Sequence, residues 1–207
     1  MSNNYNRIAK FYDALSRIVF QRSIIKAQQF LIKFIQNNHK VLIVGGGTGW
    51  ILEEISKLQK QNISVVYVEK SAAMIALAKK KVYPNICVKF IEKAIEEFVA
   101  TEQFDVILTA FLFDNFEQDK IEIVFKKLDA FLNTNGIWLY ADFVNDKDKN
   151  KGWQQLLLKT MYFFFRVTAA IETHELINMQ PYFNSKFQTL SRQFYYSHFI
   201  QAIAYKK

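Results

Sequence analysis

The chain has 207 residues, of which 51% are hydrophobic, 22% charged and 16% aromatic. This composition excludes a disordered chain, and the length is enough for one core of ordinary size. Its 27 basic residues outnumber its 19 acidic residues and give a net charge of +8. The lysines are scattered, however, rather than clustered as a nucleic-acid site requires.

The single cysteine, Cys87, excludes an intramolecular disulfide and a thiolate metal cluster. It lies in a run that predicts a buried strand, so we expect a small core residue. Residues 1–10 are polar and lack the apolar segment of a secretory signal. The most apolar stretch, residues 156–171, is interrupted by Lys159 and Arg166 and is too short to span a bilayer. These features predict a cytoplasmic protein without stable membrane insertion.

Helical and strand patterns then alternate along the chain. Apolar residues recur at helical spacing over residues 18–35, which predicts a helix. An apolar run at 41–44, which ends in glycines, predicts a strand buried on both faces. Further strands are predicted at 64–68, 86–91, 104–109 and 137–143, and further helices at 50–60, 72–81 and 119–132.

The pattern changes after residue 143. A polar loop precedes an apolar helix from residue 153 to about 170. Two β-rich runs, 187–196 and 199–205, are too close for a parallel crossover and predict an antiparallel hairpin. Together with the alternating strands and helices before them, they predict a Rossmann-like α/β fold. We expect a seven-stranded, mostly parallel sheet with an antiparallel C-terminal hairpin, in a three-layer αβα arrangement.

The run Gly45-Gly46-Gly47-Thr48-Gly49 leads from the first predicted strand into a helix. Glycines there permit a sharp turn and a close approach of ligand to the backbone. A dinucleotide fingerprint needs G-x-G-x-x-G, but Trp50 takes the place of the third glycine, and no P-loop Gly-Lys-Ser/Thr follows. The pattern that fits this loop is G-x-G-x-G. It predicts a ligand-binding loop, and an ordinary tight turn between strand and helix is the alternative interpretation.

A carboxylate ends the second predicted strand. Glu69 lies 20 residues after Gly49, and a carboxylate there can accept hydrogen bonds from both ribose hydroxyls of a nucleoside. Taken alone, Glu69 would be interpreted as a surface residue near Lys70. The joint order of strand, glycines, helix, strand and acid favours a nucleoside site.

These motifs resemble the class I S-adenosylmethionine-dependent methyltransferase family across roughly residues 30–205. The likeness lies in the first motif at 41–49, the second at 68–71, the fourth-strand motif at 104–108 and the turn at 132–136. The predicted C-terminal hairpin distinguishes this family's sheet from that of nicotinamide enzymes. Two segments, 12–16 and 161–166, look like those of ubiquinone/menaquinone-biosynthesis and related small-molecule methyltransferases.

The resemblance implies in-line transfer of a methyl group from S-adenosylmethionine to a small molecule, within one domain over 1–207. Its expected parts are an N-terminal helical segment (1–36), cofactor-binding βα units (37–143) and an acceptor-side helix and hairpin (144–207). Apolar residues surround the helix at 153–170, which favours a lipophilic acceptor; a core helix is the alternative. The expected cofactor-binding residues are Gly45, Gly46, Gly47, Gly49, Glu69, Lys70, Ala94, Thr109 and Tyr12.

Two departures from the family pattern leave an alternative open. Ile43 stands where the first motif usually carries an acid, and Ala94 stands where an aspartate often binds the adenine amino group. A catalytically silent binding protein of the same fold is therefore the alternative function. A nicotinamide-dependent reductase is less favoured because its glycine fingerprint is absent.

The motifs require no particular general base. Asp114 follows the fourth strand at the end where open α/β sheets bind ligands, so it is a candidate; a helix N-terminal carboxylate is the alternative. His174 follows the apolar helix and is a second candidate, with an ordinary loop histidine as the alternative. The three histidines are too dispersed for a metal signature. The segment 109–112 lacks the motif of base-modifying relatives, which favours a small-molecule acceptor over a nucleic acid.

Overall fold

The computed structural model describes residues 22–144 and 177–207. Its first half contains α1 (Ser23–Ile32), β1 (Lys40–Val44), α2 (Trp50–Ser56), β2 (Ile63–Glu69), α3 (Ala72–Lys79) and β3 (Ile86–Glu92). There follow β4 (Phe104–Ala110), a 3₁₀ turn (Phe113–Asn115), α4 (Gln118–Phe131) and β5 (Leu132–Phe143). The last described part contains the short helix α5 (Gln180–Asn184), β6 (Gln188–Tyr195) and β7 (Ile200–Lys206).

In the described residues, seven strands form one sheet in the order β3-β2-β1-β4-β5-β7-β6. The first five strands pair in parallel, whereas β7 pairs antiparallel with both β5 and β6. The predicted mostly parallel sheet with a C-terminal hairpin is therefore confirmed. The strand order reverses between β1 and β4, so their carboxyl ends border the crevice in which open α/β sheets bind ligands.

Helices cover both faces of the sheet, as the predicted three-layer arrangement requires. On one face, α1 and α3 pack apolar residues such as Leu31 and Ala78 against the strands. On the other face, α4 and α5 contribute to a core around Trp138. There the Phe125 ring stacks on Trp138 at 4.9 Å, and the Phe183 ring stacks on Tyr205 at 4.2 Å. Burial of these large rings is the main stabilising contribution on that face.

The strand β5 begins five residues earlier than predicted, at Leu132 rather than at 137. Its pairing with β4 is irregular. Phe104 pairs with Leu132, but Val106, two residues further along β4, pairs with Ile137, five residues further along β5. The intervening residues include Asn135 at a positive φ of 66°. The predicted turn at Asn135-Gly136 is thus a bulge within the strand, a feature that local sequence does not separate from a turn.

Two predicted segments fall wholly or partly outside the described residues. These are the apolar helix at 153–170 and the start of the helix predicted at 18–35, of which the described part is α1. Over residues 22–144 and 177–207, no helix is both long enough and apolar enough to cross a membrane.

The strand β3 lies at an edge of the sheet, and this position corrects the expectation for Cys87. Residues of β3 alternate between half-buried and exposed, and Cys87 is exposed. The prediction of a buried core cysteine is wrong, because among the described strands β3 pairs with β2 alone. An apolar sequence does not show which strand of a sheet becomes its edge.

We expect the native protein to react at one thiol with dithionitrobenzoate, because Cys87 is the only cysteine and is exposed. The reaction is followed by the absorbance of the released thiolate, with Cys87→Ser as the unreactive control. A thiol that reacts only after urea is added would contradict the edge position of β3.

Candidate active site

The glycine loop, residues 45–49, joins the carboxyl end of β1 to the start of α2. Gly45, Gly47 and Gly49 have φ values of 70°, 67° and 79°, in the left-handed region that favours glycine. The Gly45 amide donates to the Val68 carbonyl at 2.9 Å and ties the loop to β2. Among the described residues, no heavy atom would lie within 4 Å of a Cβ on Gly47, so those residues leave this side of the loop open to a ligand.

The other side of the loop rests on Tyr67 of β2. A Cβ at Gly46 would lie 2.5 Å from Cζ of Tyr67, which is too close for any real contact. The Tyr67 ring is fully buried, and its hydroxyl donates to the Gly47 carbonyl at 2.8 Å. Glycine at position 46 is therefore required by the ring beneath it.

Glu69 ends β2 beside this loop, and both of its carboxylate oxygens accept backbone hydrogen bonds. Oε2 accepts the Gly47 amide at 3.1 Å, and Oε1 accepts the Ser71 amide at 2.9 Å. Burial raises the pKa of Glu69, while these amides and the Lys70 charge oppose the rise. The Lys70 backbone amide is a third donor, and because a carboxylate has about four acceptor positions, Glu69 retains acceptor capacity for a ligand hydroxyl.

Two other predicted cofactor residues lie at the same edge. Lys70 is half-buried and follows Glu69 directly. The Lys93 amide donates to the Glu69 carbonyl at 3.2 Å, which brings the loop after β3 next to the end of β2. The half-buried Ala94 therefore lies near Glu69, as a cofactor-binding role would require.

Thr109 lies on β4 next to Val44 at the end of β1. Its side chain is fully buried, and its hydroxyl accepts a hydrogen bond from the Trp138 indole at 2.9 Å. The Thr109 side chain is thus part of the core, and a cofactor contact would have to use its backbone. Tyr12 and His174 lie outside the described residues.

Two carboxyl groups come together at the ends of β4 and β5. Asp114 lies in the 3₁₀ turn after β4, where Asn115 Nδ2 donates to its Oδ1 at 2.6 Å. Asp142 is 2% exposed, and its Oδ1 accepts the Phe143 amide at 2.9 Å. The backbone amides of Phe113 and Asp114 also donate to Asp142. The sequence predicted Asp114 as a candidate base. It gave no such indication for Asp142, which lies inside an apolar strand.

Burial raises the pKa of both carboxyl groups. The pKa of Asp114 rises to about 7 because desolvation outweighs a backbone hydrogen bond. Desolvation, followed by the charge of Asp114, raises the pKa of Asp142 well above its ordinary range. Tyr140, which is buried beside them, hydrogen bonds to Gln201 and carries no charge at neutral pH. Both carboxyl groups therefore hold a proton to higher pH than an exposed aspartate does.

Phe111 lies next to this pair in an uncommon backbone conformation. Its φ is 55°, which is unfavourable for a bulky residue. Hydrogen bonds hold it in place, because its amide donates to the Ala141 carbonyl at 2.8 Å and its carbonyl accepts Asn115 Nδ2 at 3.1 Å. Its ring contacts Phe143, with 5.0 Å between centroids. Both rings pack in the core on the α1 side of the sheet, where Phe143 is buried and Phe111 is half-buried.

The family and the curated protein that this chain resembles in sequence are methyltransferases. Residues 41–136 match the family described as "Methyltransferase domain". The malonyl-acyl-carrier-protein O-methyltransferase of Priestia megaterium (strain DSM 319 / IMG 1521) is 29% identical over 145 residues. That match covers 70% of this chain and 52% of the relative, so the chain spans about half the length of the curated relative it matches.

Solved structures share the fold at low sequence identity. The methyltransferase in complex with the Haloferax volcanii Trm112 activator has a TM-score of 0.70 and 9% identity, over 100% of this chain and 98% of that chain. The N-methyltransferase NodS from Bradyrhizobium japonicum WM9, in complex with S-adenosyl-L-homocysteine, has a TM-score of 0.59 and 10% identity, over 90% and 86%. The chain therefore has the Rossmann-like fold of the class I methyltransferases, and residues 41–136 match that domain in sequence.

We expect Asp142→Asn to make the stability of the protein less dependent on pH. The unfolded chain ionises Asp142 near its ordinary pKa of 3.8, whereas the folded protein keeps the proton to a much higher pH. Between those two values, wild-type stability falls by up to about 1.4 kcal/mol per pH unit. Asparagine has no such proton to lose, yet it still offers an oxygen to the Phe143 amide.

Urea unfolding from about pH 5 to about pH 8 measures this effect. The free energy of unfolding should fall less in Asp142→Asn than in the wild type. The exposed Asp119 supplies the matched variant, Asp119→Asn, which should follow the wild type. Parallel curves for Asp142→Asn and the wild type would show that Asp142 ionises normally.

Proposed function

We propose that this protein is an S-adenosylmethionine-dependent methyltransferase that acts on a small lipophilic molecule in the cytoplasm. The observation that carries the proposal is the Glu69 carboxylate, which is buried beside an open glycine loop and retains acceptor capacity. The match of residues 41–136 to a methyltransferase domain supports it. The fold shared with NodS in complex with S-adenosylhomocysteine supports the choice of cofactor.

The residues around the loop fit a nucleoside methyl donor. Glu69 would accept a hydrogen bond from a ribose hydroxyl, and the open side of Gly47 lets a ligand approach the backbone. Gly45, Gly46, Gly49, Lys70, Ala94, Thr109 and Tyr12 complete the proposed cofactor set. When bound, S-adenosylmethionine supplies an electrophilic methyl group on its sulfonium centre.

The acceptor is proposed to be a lipophilic, aromatic molecule such as a phenol or quinol. The half-buried Phe111 follows β4 at its carboxyl end, where an acceptor would meet the cofactor. The apolar sequence at 153–170 favours the same kind of ligand. A ubiquinone/menaquinone-biosynthesis-like branch of the family belongs to this proposal.

Asp114 is proposed to accept the acceptor's proton. A base whose pKa lies near the working pH is well suited to this role, and Asp114 meets that condition. The pKa of Asp142 is also raised by burial and by the charge of Asp114. His174 stays a second, untested candidate for the base.

A second candidate function is a binding protein of the same fold without catalysis. Two observations favour it. The Ile43 side chain is fully buried and has no polar atom. The Ala94 side chain has no carboxylate to bind an adenine amino group. Saturable binding of the cofactor without turnover of any acceptor would support this candidate.

We expect Glu69→Ala to weaken binding of S-adenosylhomocysteine by about 10- to 100-fold. A charge-assisted hydrogen bond contributes roughly 1.5–3 kcal/mol, and the substitution also releases the Gly47 amide from its partner. Isothermal titration calorimetry with the purified chain measures the affinity.

Glu122→Ala is the matched control, because Glu122 is a half-exposed glutamate on α4, on the far side of the sheet from the loop. It should bind like the wild type. If the wild type shows no saturable binding of S-adenosylhomocysteine, the proposed cofactor is wrong.

We expect methyl transfer to rise with pH through about 7, as Asp114 loses its proton, and to fall about 100-fold or more in Asp114→Asn. The assay follows S-adenosylhomocysteine release with a panel of lipophilic phenols and quinols, and Asp119→Asn serves as the control. Unchanged turnover in Asp114→Asn would remove Asp114 as the base and leave His174 to be tested.

A further inference from the structure

The backbone of Gly47 is held on both sides of its Cα by side chains of β2. Tyr67 donates its hydroxyl to the Gly47 carbonyl at 2.8 Å, and Glu69 accepts the Gly47 amide at 3.1 Å. Residues two apart on a strand project to the same face, so both side chains reach the loop from one direction. The two peptide groups that flank the Gly47 Cα are therefore oriented by side chains of β2.

The strand that leads into the loop offers no comparable hydrogen bond at its paired position. Ile43 of β1 is the register partner of Tyr67, and both residues are fully buried in the same apolar core. An isoleucine side chain has no donor or acceptor. The Tyr67 hydroxyl thus makes a polar contact with the loop that Ile43 cannot make.

The Tyr67 ring is fixed independently of its hydroxyl. It packs edge-on against Phe90, with 5.4 Å between centroids, and it fills the space where a side chain at position 46 would be. Removing the hydroxyl alone would leave this packing in place. The hydrogen bond and the packing of Tyr67 can therefore be separated by substitution.

We propose that Tyr67 is a cofactor-positioning residue, whose hydroxyl fixes the Gly47 carbonyl so that the open side of the loop is shaped before the cofactor binds. The inference rests on the proposed function. Glycine in the left-handed region loses much conformational freedom when it is ordered. A loop that is ordered in advance does not incur that cost on binding, so its affinity is higher.

The test is Tyr67→Phe, which keeps the ring and removes the bond to Gly47. We expect its affinity for S-adenosylhomocysteine, measured by calorimetry, to fall about 5- to 20-fold. Amide hydrogen exchange of residues 45–49 should also become faster in the free protein, while exchange in β4 stays unchanged.

Tyr83→Phe is a closely matched control. The Tyr83 hydroxyl also lies beside the loop, near Gly49, but it donates to the Ala78 carbonyl of α3 at 2.7 Å. Each variant loses a hydroxyl-to-carbonyl bond of similar length, so both should lose stability in urea unfolding. Only Tyr67→Phe should lose affinity and loop protection.

The outcomes separate this inference from the proposed function. If the wild type does not bind S-adenosylhomocysteine, the proposed function fails and the inference fails with it. If the wild type binds and Tyr67→Phe binds equally well, the role of Tyr67 is wrong while the function stands. Equal losses of affinity in the two tyrosine variants would mean a purely structural role and would also overturn the inference.

Discussion

The hydrogen bonds that Glu69 accepts join the end of β2 to the glycine loop and to the first turn of α3. One of its oxygens orients Gly47, and the other accepts the amide of Ser71, the residue that caps α3. Because the carboxylate is buried, these backbone amides and Lys70 supply the polar environment that water would otherwise give. Together with the bonds that the Tyr67 hydroxyl and the Val68 carbonyl make to the loop, this side chain positions the loop and the start of α3.

Burial has a different consequence at the neighbouring strand ends. Desolvation raises the pKa of both Asp114 and Asp142, and the charge of Asp114 raises that of Asp142 further. Glu69 instead has Lys70 beside it. The two sides of the crevice therefore differ. At the ends of β1 and β2, Glu69 and Lys70 suit binding of a polar ligand. At the ends of β4 and β5, Asp114 and Asp142 suit movement of a proton.

The aromatic core under β5 gives the proton-bearing side a rigid support. Trp138 is fully buried, donates to Thr109 of β4 and stacks on Phe125 of α4. These contacts link β4, β5 and the helix that covers them. Dense packing of this kind holds the strand ends in place, so the hydrogen-bonded Phe111 can keep a backbone conformation that costs energy in isolation.

The sequence by itself determined the features that depend on near neighbours in the chain. Apolar runs, the glycine spacing, the acid that ends β2 and the closeness of the last two strands were enough to predict the sheet, its hairpin and the loop-and-acid pair. Strand order and register, which join residues far apart in the chain, decided the rest. They exposed Cys87 on the edge strand, brought Asp142 to Asp114 and placed Tyr67 beneath Gly46. Those three features required the tertiary structure, because each is a contact or an exposure that no local pattern encodes.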